Sequence, residues 1–338
     1  MSRAVHVSRK QESRAGYAFL SPFFILFGIF GLLPIIFTFY VSFHDWDLLG
    51  TQTWVGLDNY TELLADERFY SSLGNTLSIF LLSSVPQLIA ALLLAIVLNS
   101  KTLRFRTFWR SVILFPFITS TVAVAVVFGA MFADNGGMMN WALAFLGVGP
   151  IPWHADPLAG QIVIAAMVNW RWTGYNTLIF LAALQAIPHE LYEAAEMDGA
   201  SKISQFFNIT VPQIRPTIFF TVVTSTIGGL QIFAEPYMFS GTGYSGGSDG
   251  QFRTMTLFLF DQAFAQLRLG YSSAIAVGLF LIIAIIAGFN FYVSKKLGVP
   301  IGLNGPKRRC NSTDYLAVMD VLEPRFQEAS YPAHSYPE

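Results

Sequence analysis

Apolar residues gather in long blocks along this chain, separated by short polar segments. Six blocks run from about Tyr17 to Phe43, Leu73 to Leu98, Trp109 to Phe132, Gly160 to Ile187, Pro216 to Ser240 and Tyr271 to Val293. Each has the roughly 20 residues a helix needs to cross a hydrocarbon core about 30 Å thick. A span exposed to lipid has no water for its backbone groups, so helices rather than open strands are expected. The pattern therefore predicts an all-α integral membrane protein with six transmembrane helices. Arg3, Arg9, Lys10 and Arg14 precede the first block as they would precede a signal peptide, but the block is too long for one and contains Pro22 and Pro34. It reads as an uncleaved first span.

Charge sets the orientation. Lysines and arginines concentrate in the amino tail, in the 99–110 segment (Lys101, Arg104, Arg106, Arg110), in the 188–215 segment and in the carboxyl tail. The alternate loops hold only Arg68, Arg253 and Arg268, while Arg171 falls inside the fourth block. Basic residues stay on the cytoplasmic side, so both termini and the 188–215 segment are expected there. Outside lie His44 to Ser72, Ala133 to Ala159 and Gly241 to Gly270; the last contains "TMTLFLFDQAFAQL", too short to span and read as an interfacial or re-entrant helix.

Composition agrees: 54% of the 338 residues are hydrophobic and 12% charged, against about 25% charged in a soluble domain. Cys310 is the single cysteine, which excludes an internal disulfide and a thiolate metal cluster. No cofactor or metal site is expected. There is no G-x-x-x-x-G-K-[ST] phosphate loop, so any ATP chemistry belongs to a partner. "HELYE" at His189 to Glu193 lacks the second histidine of a zinc helix. "GYSGG" at Gly243 to Gly247 fits a serine-nucleophile pattern, but a strand-to-helix elbow and a histidine and acid would have to accompany it, so it reads as an outer turn. The Asn311-Ser312-Thr313 sequon falls in the cytoplasmic tail, where glycosylation is not expected. The chain reads as a non-enzyme, with no nucleic acid among its partners.

The 188–215 segment is the polar exception in an apolar middle. Pro188 suits the first turn of a helix, and Glu190 and Glu193 suit the positive end of its dipole. Leu191, Ala194, Ala195 and Asp198 share one side at helical spacing, and Gly199 supplies the left-handed residue that ends helices. Ser201 is placed to cap a second helix carrying Ile203, Phe206 and Phe207 that stops before Pro212. Spacing alone leaves two readings open, a solvated loop or a docking surface.

Here the chain resembles a known family. Glu193-Ala194-Ala195, Asp198, Gly199, Ala200, Ile209 and Pro212 are similar to the EAA loop of inner-membrane permease subunits of binding-protein-dependent ABC importers, with Val211 where leucine is usual. "LQAIP" at Leu184 to Pro188, "PFITS" at Pro116 to Ser120 and "LGYSSAIAVGLFLI" at Leu269 to Ile282 are similar to the oligosaccharide-carrying, maltose-type branch. The resemblance covers residues 15–297, between an amino tail of residues 1–14 and a polar tail of residues 298–338 expected to be disordered. It implies a coupling helix seated on a cytoplasmic ATPase dimer, with Glu193 paired to a basic residue there and Gly199 at the turn. It also implies a second homologous permease, an extracytoplasmic binding lipoprotein and a sugar as cargo.

For the pathway, "NWRWTGYN" at Asn169 to Asn176 offers amides and aromatic rings together, in Asn169, Trp172 and Asn176. A sugar needs amides for its hydroxyl rim and rings for its C–H faces. The competing reading is helix packing with Trp170 and Trp172 anchored at headgroups and Arg171 snorkelling. Span five carries Thr224, Ser225, Thr226, Gly228, Gly229, Gln231 and Glu235, with Pro236 expected to break it; its small residues equally suit close packing. By similarity to maltose-type permeases, substrate contacts fall near Ser225, Gly228, Gly229 and Ile232, and near Ala133 and Gly137. Several of these are smaller than in the maltose site, which implies a different ligand, such as another oligosaccharide, glycerol phosphate or a polyol. An ion-coupled carrier would need an intramembrane relay, for which only Arg171 and Glu235 are available, and a membrane enzyme would need a cluster of acids or histidines that is missing.

Overall fold

A computed structural model describes residues 9–296 apart from 48, 49, 101 and 242. The tail from 298, with Cys310 and the Asn311 sequon, and the first eight residues lie outside the described residues.

The first expected span is α1 (Arg9–Phe27) and α2 (Leu33–Val41), joined by a π-helical turn at Gly28–Leu32 that keeps one continuous rod. The helix starts at Arg9, inside the segment expected as a tail. A two-residue hairpin, β1 (His44–Asp45) paired antiparallel with β2 (Thr53–Trp54), and the helix α3 (Asp58–Ala65) follow. The second span, α4 (Glu67–Asn99), begins earlier than its apolar block because Asp66 caps it, accepting the Arg68 N–H.

The third span is not one rod. It consists of α5 (Arg106–Ile118) and α6 (Thr121–Met131), bent by 89°. Pro116 removes a backbone donor near the end of α5, and the extended residues Thr119 and Ser120 complete the corner. A short helix α7 (Met138–Phe145) precedes α8 (Pro157–Gln185), which opens on the capping pair Asp156 and Pro157.

After α9 (Glu190–Met197), the chain runs from α10 (Lys202–Gln205) through a π-helical turn (Phe206–Thr210) into α11 (Val211–Leu230). The second loop helix was expected to stop before Pro212. Instead the π-helical turn lets the helix pass, with Pro212 in the first turn of α11, where a missing N–H costs little. Span five does break, but at Gln231 to Phe233; Pro236 lies in the first turn of α12 (Ala234–Ser240) rather than at the break. The outer apolar segment forms α13 (Met255–Phe260) and a π-helical turn (Asp261–Ala265), and α14 (Leu269–Lys296) closes the fold.

Among the described residues, four helical stretches are long and apolar enough to cross a membrane, Tyr17–Val41, Glu67–Asn99, Lys202–Ser240 and Leu269–Lys296; the bent pair makes a fifth. Helix α8 has the length, at 29 residues, but polar groups from Asn169 to Asn176 dilute its apolar character. Among the described residues it is also the most enclosed of the long helices, with Val163, Ile164 and Met167 fully buried.

Three apolar clusters hold the bundle. At one end Ala91, Ala95 and Leu98 of α4 meet Phe180, Leu181 and Leu184 of α8 and Ile214 of α11, with Leu103 and Tyr192 packed alongside. The 99–110 and 188–215 segments thus share one end of the bundle, as the charge pattern predicts. At the other end Phe132, Trp153, Phe239 and Phe252 surround α8. Beside them Leu63, Phe69, Met255, Phe258 and Tyr271 bury α13 against α3, α4 and α14. The alanines and Gly174, where a Cβ would lie 1.8 Å from the Ile113 carbonyl oxygen, let helix backbones approach closely.

Candidate functional site

The break in span five opens a cavity of about 510 Å³ between α4, α8, α11 and α12. Irregular backbone at membrane depth persists only where protein or a cavity satisfies it, and here the exposed carbonyl of Ile232 accepts from Thr254 Oγ1 (3.0 Å) and Thr256 Oγ1 (2.8 Å). Thr254 also caps α13. Helix α13 and its cap therefore brace the break that lines the cavity.

One wall carries the α8 motif. Trp172 and Tyr175 face the cavity and form an aromatic group with Phe117, with centroids 5.2 and 4.8 Å from it. Asn176, almost fully buried, reaches Ser225 Oγ across the cavity floor at 3.5 Å. Arg171 does not snorkel: its Nη1 donates to Glu235 Oε1 at 2.6 Å, tying α8 to α12, the part of the broken helix that follows the interruption.

The opposite wall is α11 and its unwound end. Ser225, Gly228, Gly229, Gln231 and Ile232 all line the cavity. The two glycines differ in role. A Cβ at Gly228 would meet nothing within 4 Å, whereas one at Gly229 would lie 2.6 Å from the Phe80 ring. Gly228 leaves room in the cavity, and Gly229 lets α11 pack on α4.

Two candidates lie elsewhere. Asn169 faces a separate groove with Trp170, Thr173 and Gly174 against α5, and its Oδ1 is buried without a hydrogen-bond partner. Gly137 caps α7, where a Cβ would lie 2.3 Å from the Ala133 carbonyl oxygen; it is a turn position away from the cavity lining. Conversely, Ser84 and Gln87 of α4 line the cavity and were not singled out. Their signal was present in the sequence, as the polar run Ser83-Ser84-Val85-Pro86-Gln87 inside an apolar span.

The 188–215 segment forms the expected pair of helices. His189 rather than Pro188 precedes α9, and Glu193 is exposed in its first turn. The helix ends in a Schellman motif: Ala200 N–H donates to Ala195 C=O (2.9 Å), Gly199 N–H to Glu196 C=O (3.0 Å), and Gly199 takes φ +77°. Ser201 caps α10 by accepting the Ser204 N–H. Asp198 ends α9, Ala194 is exposed and Ala195 half-buried, while Ile209 and Pro212 are half-buried where the π-helical turn meets α11. Tyr192 Oη bonds Thr210 Oγ1 at 2.9 Å, and Lys202 pairs with Glu196, holding that carboxyl below its ordinary pKa. These contacts tie the joint together, and Met197 (88% exposed), Ile203 and Phe207 project from it.

The "GYSGG" segment is a 3-10 turn with Gly246 and Gly247 at positive φ, not a strand-to-helix elbow.

Residues 67–299 match the family model described as binding-protein-dependent transport system inner membrane component. The arabinooligosaccharides transport system permease protein AraP of Bacillus subtilis (strain 168) is 36% identical over 84% of this chain and 89% of its own length. The lactose transport system permease protein LacF of Rhizobium radiobacter is 34% identical over 83% and 94%. Among solved structures, a chain of a bacterial ABC transporter involved in alginate import superposes with a TM-score of 0.73 at 23% identity, over 85% of this chain and 96% of that one.

Proposed function

The chain belongs to the binding-protein-dependent transport system inner membrane component family, and on that premise we propose that it is a sugar-translocating permease subunit of an ATP-binding-cassette importer, with an oligosaccharide as cargo. The observation that carries the cargo assignment is the cavity at the break in span five, where Trp172 and Tyr175 supply ring faces and Gln87, Asn176 and Gln231 supply amides. Such a wall matches a ligand with hydroxyls around its edge and C–H groups on its faces.

In this reading six spans, with α5 and α6 together as the third and α8 as the fourth, place both termini in the cytoplasm. A second homologous permease completes the pathway. Two copies of an ATPase receive α9 and the exposed Met197, Ile203 and Phe207, with Glu193, Ala194, Ala195, Asp198, Gly199, Ile209 and Pro212 forming the coupling element. An extracytoplasmic binding protein delivers the sugar; one structural neighbour was solved in complex with a pentasaccharide-bound periplasmic protein. Closure of the ATPase dimer on ATP moves the rigid helix pair, and the bundle switches between inward-open and outward-open packings. The chain itself makes and breaks no covalent bond.

Uptake into proteoliposomes holding the full assembly tests this. Radiolabelled oligosaccharide should accumulate only with ATP and the ATPase present, and an ionophore that collapses ion gradients should leave the rate unchanged. Uptake persisting without the ATPase would overturn the reading.

A further inference from the structure

Among the described residues, the charged side chains lining the cavity are Arg171 and Glu235, and they neutralise each other. Their side chains are 15% and 8% exposed, and Nη1 donates to Oε1 at 2.6 Å. The remaining polar lining is amide, hydroxyl and phenol. A buried ion pair is a poor source of stability compared with apolar groups of the same shape, and the two residues approach the cavity from different elements, α8 and the first turn of α12. Their effect on a ligand is electrostatic. Arg171 alone would draw a carboxylate into the cavity and Glu235 alone would repel one. Together they offer an anion no net attraction to replace the hydration it leaves behind, while a neutral polyol exchanges water for amides and hydroxyls at little cost.

We infer that the Arg171–Glu235 pair sets the charge class of the cargo: balanced, it makes this chain's part of the pathway accept uncharged sugars and reject sugar acids, with Glu235 cancelling the attraction of Arg171 for carboxylates. This rests on the reading of the cavity as a sugar site.

The test is equilibrium binding to the complete permease and ATPase assembly in nanodiscs, without the binding protein, so that only the membrane site selects. Maltotriose, arabinotriose and lactose serve as neutral probes and trigalacturonate as the acidic one. Wild type should bind at least one neutral probe more tightly than trigalacturonate. Glu235→Gln should raise the ratio of acidic to neutral affinity by about tenfold or more, Arg171→Gln should lower it by a similar factor, and the double variant should return it to the wild-type value. Opposite shifts from two neighbouring truncations cannot come from a folding defect, and the double variant keeps the comparison usable if a lone buried charge destabilises the fold. A wild type that prefers trigalacturonate, or single variants that move the ratio together or not at all, overturns the inference while leaving the sugar reading intact. If none of the four proteins binds any of these sugars, the sugar reading falls and this inference with it.

Discussion

Arg171 and its sequence neighbour Trp172 illustrate how much a single side chain can decide at membrane depth. Trp172 supplies a flat apolar face to the cavity, and aromatic faces contribute roughly 0.5–1.5 kcal/mol beyond their buried area. Trp172→Ala is therefore expected to raise the half-saturating sugar concentration roughly 3- to 10-fold, with assembly unchanged; saturation curves for uptake provide the check. The two cavity glycines make a second contrast. Gly228→Ala enters open space and, by helix propensity alone, should hold or raise thermal stability by up to about 1 kcal/mol. Gly229→Ala pushes on Phe80 and should lower stability by roughly 1–3 kcal/mol. Equal melting temperatures for the two would refute the division of roles drawn from their surroundings. At the start of α4, burial opposes ionisation of Asp66, but the Arg68 hydrogen bonds and the Tyr271 hydroxyl outweigh it and hold the carboxyl below its ordinary value. Its contribution to stability is therefore complete above the pKa of an unfolded aspartate, about 3.9, and disappears as pH falls through the lower folded-state value. Unfolding midpoints measured from pH 6 to 2.5 should fall less for Asp66→Asn than for wild type in the acid range.

Elements act here through their joints. The Schellman motif at Gly199 needs a left-handed residue, which costs other residues about 1–2 kcal/mol, and no neighbouring atom within 4 Å would hold a side chain there in place. Gly199→Val is expected to leave the spans inserted while loosening the angle between α9 and α10, so that ATP hydrolysis no longer drives uptake. A variant that copurifies with the ATPase and transports at the wild-type rate would refute a coupling role for the helix pair. The π-helical turns obey similar logic. At Phe206–Thr210 the wider turn carries the chain past Pro212 into α11 without a gap, so that α10 and α11 form a continuous rod. Where the rod does stop, at Gln231 to Phe233, hydroxyls from α13 take over its freed carbonyl and the cavity appears.

At the scale of the molecule, the distribution of polarity organises function. The ends of the bundle are distinct, one holding the helix pair α9 and α10 and the other the segments packed around α13, and the polar cavity lies at the interrupted helix between α11 and α12. The apolar blocks and the capped helix end from Glu193-Ala194-Ala195 to Gly199 were legible in the chain, because span length and a helix cap depend on residues near one another in sequence. So were Trp172, Asn176 and the polar run of span five, since polar groups in an apolar block are rare enough to signal themselves. What depended on distant partners was not legible. Whether Arg171 snorkels or meets Glu235, 64 residues on, is settled by the crossing of α8 and α12. Whether Asn169 or Gln87 faces the cavity is settled by the rotation of each helix against its neighbours. The break before Pro236 is likewise a place where distant groups, the hydroxyls of Thr254 and Thr256, satisfy backbone that local sequence would leave bare. Sequence fixes which stretches must leave water; only the packed bundle decides which of their faces meet and which enclose a space.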